Sequence, residues 1–577
     1  MLLKAIHTRL SQALDSAQAS GALELDGFKP ELKIEVPRDT AHGDYACNLA
    51  LTLAKPARKN PRQIAEILAA ELKDPMFESI EIAGPGFINF RLSWAWLLEN
   101  LQSLLKQDQQ FGQHSRADSH RYLLEFVSAN PTGPLHFGHG RWAVLGDCLA
   151  RLMRAAGFEV ATEFYINDTG AQINNLGASV QACYFAVLKN QNVALEESQQ
   201  ATLDAYLAEK SGNGVEKVKF YHGDYIQELA QQLFEQFGSD FQNEPQSLFS
   251  EQARTAILSA QQQELEEFGV HFDEWFPESR LHAEGSIQDA LDHLKSENVT
   301  YEQDGALWFR SSDFGDDKDR VLVKNDGSST YFANDIAYHW NKLRRGYDRL
   351  INIWGADHHG YIPRMQAAVQ ALGYPKEALQ ILLGQIVQLY RQGELVRMSK
   401  RTGDMISFGE VFAEVGKDAT RYLLMQRSAD APLDFDLELA KQQSSENPVF
   451  YIQYAHARIC SIFRTAQQSE SLAQRSQNLA QADLNQLHKA EERALLLKLL
   501  SYPDEILFAA VVREPHRLTN YASELAALFH SFYKQCRVLD ESQLELSQAR
   551  LVLTQATRIV IRNVLTDIFG ISAPESM

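Results

Sequence analysis

Between Tyr122 and Asp168 the chain runs YLLEFVSAN, a Pro-Thr-Gly-Pro turn, HFGHG at 136–140, then RWAVLGDCLARLMRAAG and FEVATEFYIND. The first run is short and almost continuously apolar, as a strand buried on both faces of a parallel sheet must be. The next has helical spacing and stops at Gly157, and the last reads as a second strand. Strand, glycine-containing loop, helix and strand in this order form the building block of a doubly wound parallel sheet. HFGHG is thereby placed at a helix N-terminus, just beyond a strand end. Free backbone N–H groups and the positive end of the helix dipole favour an anion there. Gly138 lets the backbone approach closely, and His136 and His139 can donate hydrogen bonds to phosphate oxygens.

A second basic motif, Arg-Met-Ser-Lys-Arg at 397–401, puts a lysine in a polar loop far down the chain. Either motif alone reads more readily as a structural histidine cluster or a solvated basic turn. Two phosphate-directed elements on one sheet instead suit nucleotidyl transfer to a carboxylate, in which donors placed in advance stabilise charge on the phosphoryl oxygens.

Composition bounds the rest. A chain of 577 residues, 45% hydrophobic and 23% charged, is globular and long enough for several domains. No stretch approaches the roughly 18 consecutive apolar residues of a membrane span. The opening MLLKAIHTRLSQALDSAQAS has amphipathic helical spacing without a signal peptide's apolar core, so a cytoplasmic location is expected. Cys47, Cys148, Cys183, Cys460 and Cys536 are scattered, with no CxxC pair, which supports neither a disulfide framework nor a metal site. The net charge is −20, but residues 191–320 alone hold 9 Lys and Arg against 27 Asp and Glu. The remainder is almost neutral, so a polyanion could be held by local basic faces elsewhere.

Along the chain, residues 1–105 have helical ends and a strand-rich middle, and the polar stretch 106–119 suits a linker, giving a boundary near 115. The acidic stretch at about 190–320 reads as an insertion. VLVKNDGSSTYF from 321, RLINIWGADHHG and LQILLGQIVQLY then return the chain to the sheet, and beyond about 410 the pattern is helical, with 466–486 an exposed Gln/Ser-rich loop. The fold class expected is α/β: a doubly wound, Rossmann-like parallel-sheet domain at 116–410, an N-terminal α+β domain at 1–115 and a C-terminal α-helical bundle at 411–577.

His136 to His139 and Arg397 to Arg401 resemble the HxGH and KMSKS-type motifs of the class I aminoacyl-tRNA synthetases. Within that class the chain is similar to the arginyl-tRNA synthetase family over essentially its whole length. EFVSAN (Glu125 to Asn130) and TYFANDIAYH (Thr330 to His339) resemble that family's two amino-acid-binding segments. HGDYACNLAL from His42 and IEIAGPGFINF (Ile80 to Phe90) resemble its N-terminal tRNA-contacting domain, and NPVFYIQYAHARI (Asn447 to Ile459) its anticodon-binding domain. Two departures stand out. Phe137 replaces the usual aliphatic residue, and Arg397 replaces the first lysine, where a guanidinium still pairs with phosphate as a planar fork. Lys400 is expected to be the main pyrophosphate contact.

The resemblance implies an ATP-dependent ligase that forms arginyl-adenylate and passes the arginyl group to the terminal ribose of tRNA(Arg), to its 2′-hydroxyl as in class I, with tRNA needed for activation. His136, His139 and Lys400 are the implied catalytic residues. ATP would be held by His136, Gly138, His139, Gly355, Asp357, Met398, Ser399 and Lys400, with Mg²⁺ bound through its phosphates. L-Arginine would be held by Ser128, Asn130, His139, Tyr331, Asp335 and His358. A monomer is expected, with no membrane partner.

The residue types make physical sense. A guanidinium wants a carboxylate that accepts two parallel N–H bonds, which favours Asp335; Tyr331, four residues earlier, shares its face on a helix. The plainer readings are a capping or surface aspartate and a core tyrosine. Glu125 reads as a supporting buried carboxylate, GADHH equally as a strand-end turn, and Asn167 to Gly170 as a turn and helix cap. Tyr451, Tyr454, His456, Arg458 and Arg464 could contact an anticodon loop, although aromatics at helical spacing are mostly core. A class I enzyme for glutamate or cysteine would keep the phosphate motifs without an acidic pocket. A non-catalytic tRNA-binding relative would have lost His139 or Lys400, and both are present.

Overall fold

The computed structural model describes residues 2–37, 39–115, 117–211, 219–396 and 406–577. The N-terminal part is an antiparallel sheet of Ile34–Glu35, Tyr45–Cys47, Phe87–Leu92 and Phe77–Ala83, in that spatial order, with helices Leu2–Ala19, Pro61–Glu71 and Trp94–Gln107. Asn60 caps the second of these by accepting from the Arg62 N–H at 2.9 Å, with Pro61 at the first helical position.

The central sheet is built from β1 (Arg121–Glu125), β2 (Glu159–Ile166), β3 (Glu274–Pro277), β4 (Arg349–Gly355) and β5 (Leu379–Gly384). Their spatial order is 3-2-1-4-5 and every pairing is parallel. The order reverses between β1 and β4, so a crevice opens at the carboxyl ends of these two strands. Helix α1 (Phe137–Ala155) covers one face, where Tyr122, Leu124, Ile351 and Ile353 join its core. Helix α2 (Tyr331–Arg344) and the helix Ile362–Ala371 cover the other, with Leu123 and Leu350. Burial on both faces explains why YLLEF reads as a continuous apolar run rather than an alternation.

Several segments differ from the sequence reading. The helices that leave the sheet start at Ala171, not near 190, and run to Glu267; Glu274–Pro277 then pairs with β2, so a sheet strand lies inside the acidic stretch. Trp275 stacks on Phe164 at 4.4 Å and Phe276 is fully buried, which is enough to seat a four-residue strand too short for its pattern to show. Arg320–Val323 does not return to the main sheet; it pairs antiparallel with Ala306–Phe309, which pairs with Thr300–Gln303. LQILLGQIVQLY splits after Gly384, and Val387–Arg391 joins a small sheet between Glu394–Val396 and Leu433–Asp436. The last of these lies beyond 410, where helix was expected. Its alternating buried Leu433 and Phe435 are the strand signal.

The remaining C-terminal part is helical: Pro448–Gln468, Ala490–Val512, Arg517–Gln535 and Leu544–Asn563. The 466–486 stretch is pinned by buried Leu472 and Leu484 and contains short helical turns, so it is not a plain exposed loop. Arg493 ties this bundle to the N-terminal part through Asp44 Oδ2 and Leu92 O, each at 2.6 Å. Arg421, fully buried, ties it to α1 by donating to Phe569 O at 2.7 Å and pairing with Asp147. All five cysteines are buried and free. Among the described residues no helix is long and apolar enough to cross a membrane.

Candidate active site

The chain enters the crevice at the end of β1 through a strained turn. Val127 and Ser128 adopt φ of 67° and 42°, a left-handed pair that is costly for a β-branched valine. The turn aims Ser128 Oγ at Glu125 Oε1 (2.9 Å), and the same oxygen accepts from the Tyr165 N–H (3.2 Å). Asn130, further along, is exposed and donates to Gln172 Oε1 at 2.9 Å.

At the start of α1, His136 is the N-cap, and a reciprocal box joins it to His139. His136 Nδ1 accepts from the His139 N–H at 3.3 Å, and His139 Nδ1 accepts from the His136 N–H at 3.1 Å. The rings stack with centroids 3.5 Å apart. Because each neutral imidazole accepts at Nδ1, each carries its proton at Nε2. Two ring N–H donors and the first-turn amides thus gather at one helix end. A side chain at 138 would meet the His136 ring at 3.0 Å, which accounts for Gly138.

Beyond residues 397–405 the chain comes back against this turn. The Phe408 N–H donates to Leu135 O at 2.9 Å and Ser407 bridges His136 antiparallel. Gly140 leaves room for the Phe408 ring, which a Cβ would meet at 2.3 Å. Arg141, 2% exposed, locks the same turn: Nη1 donates to Gln385 O (2.9 Å) and Nη2 to Ser428 O (2.9 Å) and Ala431 O (2.8 Å). Burial without a contacting carboxylate lowers its pKa to about 10. Arg397, Met398, Ser399, Lys400 and Arg401 lie outside the described residues.

Across the crevice, Gly355 ends β4 and Gly384 ends β5, in register. Asp357 and His358 follow on an exposed turn, with His358 Nε2 3.7 Å from Asp357 Oδ2. The other wall is α2. Thr330 caps it, accepting from the Ala333 N–H at 3.3 Å, and Tyr331 sits at its first position, 80% exposed, at the mouth. Asp335 lies one turn deeper and accepts from the Tyr361 hydroxyl. Burial pushes its carboxyl up to about 7; the nearby charges of Glu125 and Glu278 push the same way, against the Tyr361 bond and Lys342. His339 donates Nδ1–H to Asp335 O (2.8 Å) and accepts from Asn352 Nδ2 (3.0 Å), and burial lowers its pKa to about 3, so it is neutral. Lys342, fully buried, pairs with Glu125.

Asp335, His339 and Lys342, at i, i+4 and i+7, form a polar stripe on the buried face of α2, a signal the sequence offered beyond Asp335 itself. Glu125, read from the sequence as a supporting buried carboxylate, is 7% exposed and pairs with Lys342. Glu278 and Tyr361 were not read from the sequence. Glu278, 5% exposed, accepts from Asn334 Nδ2 at 2.9 Å and comes from a short helix after β3, so no local spacing links it to Asp335. Tyr361 comes just after GADHH. The crevice therefore has a donor-rich end at the histidines and an anionic end among Asp335, Glu125 and Glu278, offset by one lysine.

Three family models together match almost all of the chain: an arginyl tRNA synthetase N terminal domain at residues 4–92, a tRNA synthetases class I (R) catalytic domain at 100–460 and a DALR anticodon binding domain at 452–577. The chain is 46% identical to the arginine–tRNA ligase of Heliobacterium modesticaldum, with all of both chains covered, and 45% identical to that of Bacillus licheniformis, with 98% of each covered. In fold it is similar to Thermus thermophilus arginyl-tRNA synthetase, with a TM-score of 0.73 at 24% identity and 100% of both chains covered. The chain belongs to the arginyl-tRNA synthetase family, class I ligases that use ATP to join arginine to tRNA(Arg).

Proposed function

We propose that the two ends of the crevice divide the substrates between them, ATP at the histidine turn and arginine along α2. The observation that carries this reading is the pairing of a donor-rich helix N-terminus with a cluster of carboxylates, Asp335 with the buried Glu125 and Glu278, at one topological switch point. The guanidinium lies against Asp335, with Tyr331 at the mouth and Glu125 and Glu278 supplying negative potential. The substrate's amino and carboxylate groups lie toward Ser128, Asn130, His139 and His358.

A carboxylate oxygen of arginine attacks the α-phosphorus. The bond from that phosphorus to the bridging oxygen breaks, and pyrophosphate leaves with the electron pair. The α1 amides and the Nε2–H donors of His136 and His139 face the oxygens where charge builds, a preorganised arrangement that needs no reorientation during reaction. Gly138 and Gly355 let the backbone approach, and Asp357 accepts from the ribose hydroxyls. Met398, Ser399 and Lys400 serve the departing pyrophosphate, with Lys400 the principal charge. Mg²⁺ arrives on the ATP phosphates, and no residue is assigned to hold it. The 2′-hydroxyl of the terminal ribose then attacks the arginyl carbonyl and AMP leaves.

Residues 116–410 carry this chemistry, with 1–115 and 411–577 assigned to tRNA. The chain works as a cytoplasmic monomer whose activation step needs tRNA present. Pyrophosphate exchange with each amino acid, with and without tRNA, is the test. Exchange supported by arginine and dependent on tRNA is expected; exchange supported by glutamate or cysteine in its place would sink the assignment of the pocket.

A further inference from the structure

Trp142 stands one turn beyond His139 on α1, and no role has yet fallen to it. Its ring lies edge-on to both histidines, with centroids 5.8 Å from His139 and 6.4 Å from His136. It reaches across to the two glycines that end β4 and β5. A Cβ at Gly384 would land 2.3 Å from the indole Nε1, and one at Gly355 would land 3.5 Å from its Cζ2. Register pairs these two glycines; a side chain at Gly384 would crowd the ring, whereas one at Gly355 would only touch it. The indole is half-buried, and its Nε1–H, buried, has no hydrogen-bond partner among the described residues.

We propose that Trp142 is the base-recognition residue of the nucleotide site, its indole packing against the adenine ring of ATP. The argument is one of placement and chemistry. With the phosphates at the α1 N-terminus and the ribose toward Asp357, the base must lie near the ends of β4 and β5, where the indole is. Adenine offers a flat π-face to the accessible part of the half-buried ring. The inference rests on the reading that ATP occupies the histidine turn.

The test uses the full chain in arginine-dependent pyrophosphate exchange with tRNA present. Loss of aromatic stacking by Trp142→Ala is expected to raise KM for ATP roughly 10- to 100-fold, leaving KM for arginine and kcat at saturating ATP within about twofold. Trp142→Phe should restore most of the ATP affinity, since it keeps a π-face. Tryptophan fluorescence supplies an independent readout. ATP, and adenosine alone, should quench the wild type, and Trp142→Phe should abolish that quench although six of the seven tryptophans remain. Unchanged KM for ATP in Trp142→Ala, equal losses for both substrates, or a quench that survives Trp142→Phe would overturn the inference. If Trp142→Ala does not fold, the phenylalanine variant and the quench still decide. Absence of exchange in the wild type would instead overturn the reading of the site.

Discussion

Arginine binding should weaken steeply as the pH falls below neutrality, because the carboxylate proposed to grip the guanidinium ionises near pH 7. Asp335 is raised from 3.8 to about 7, chiefly by burial and then by Glu125 and Glu278, against the Tyr361 hydroxyl and Lys342. The guanidinium stays charged throughout, with a pKa above about 12, so only the protein side titrates. At pH 6 about a tenth of the ligand-free protein carries the ionised carboxyl. The apparent Kd should then be about tenfold above its alkaline limit, or about 1.4 kcal/mol. Calorimetry at pH 6 in buffers of different ionisation enthalpy should show about one proton released per arginine bound, falling toward none by pH 8. The same displacement acts on folding with the opposite sign. Between about pH 4 and 7 the native state holds a proton that the unfolded chain has lost, so stability falls as pH rises through that window. The full displacement is worth up to about 4 kcal/mol. Ligand-free Asp335→Asn should therefore gain stability over wild type above pH 7 and bind arginine poorly at every pH. A Kd that is flat from pH 5.5 to 8 with no proton release would refute the reasoning.

Other consequences are equally open to measurement. Lys342→Met leaves Glu125 buried without its partner and should cost about 3–5 kcal/mol in denaturant unfolding; pairing it with Glu125→Gln should recover most of that, and failure to recover would show that the lysine acts otherwise. Gly140→Ala places a methyl 2.3 Å from the Phe408 ring, so kcat for exchange should fall about tenfold or more for a loss of about 1–3 kcal/mol in stability; wild-type kcat would show that the contact does not shape the histidine turn. Lys400→Ala should lower turnover at least a hundredfold with the unfolding midpoint unchanged, and wild-type turnover would remove the lysine's proposed role.

What was legible in the sequence was what repeats or stays local. The β1–α1–β2 unit announced itself because a doubly buried strand, a helical period and a glycine stop follow within fifty residues. Asp335 and Tyr331 were legible as a pair because α2 carries both. Glu278 and Tyr361 were not, since each reaches the pocket from another element and only the folded sheet brings them to Asp335. Short strands hid for the same reason: Glu274–Pro277 and Leu433–Asp436 are specified by the surfaces that receive them more than by four residues of pattern. Charge marks the insertion only from about 190, whereas its helices start at Ala171, where buried Ile173, Leu176 and Val180 form an apolar face before the acidic run begins. Lys342, a buried cation one turn beyond His339 on the polar stripe of α2, is equally visible in the spacing.

The contact between the Phe408 N–H and Leu135 O joins segments that are separated in sequence by four of the five strands of the catalytic sheet. An amide that is protected only when such distant segments meet is a natural reporter of closure. Its hydrogen exchange should respond to ATP more than that of amides within α1, because helix bonds form locally and this one waits for the sheet. Partial opening at this junction would silence the chemistry while leaving most of the secondary structure in place, so catalytic loss should precede any change in circular dichroism on gentle heating.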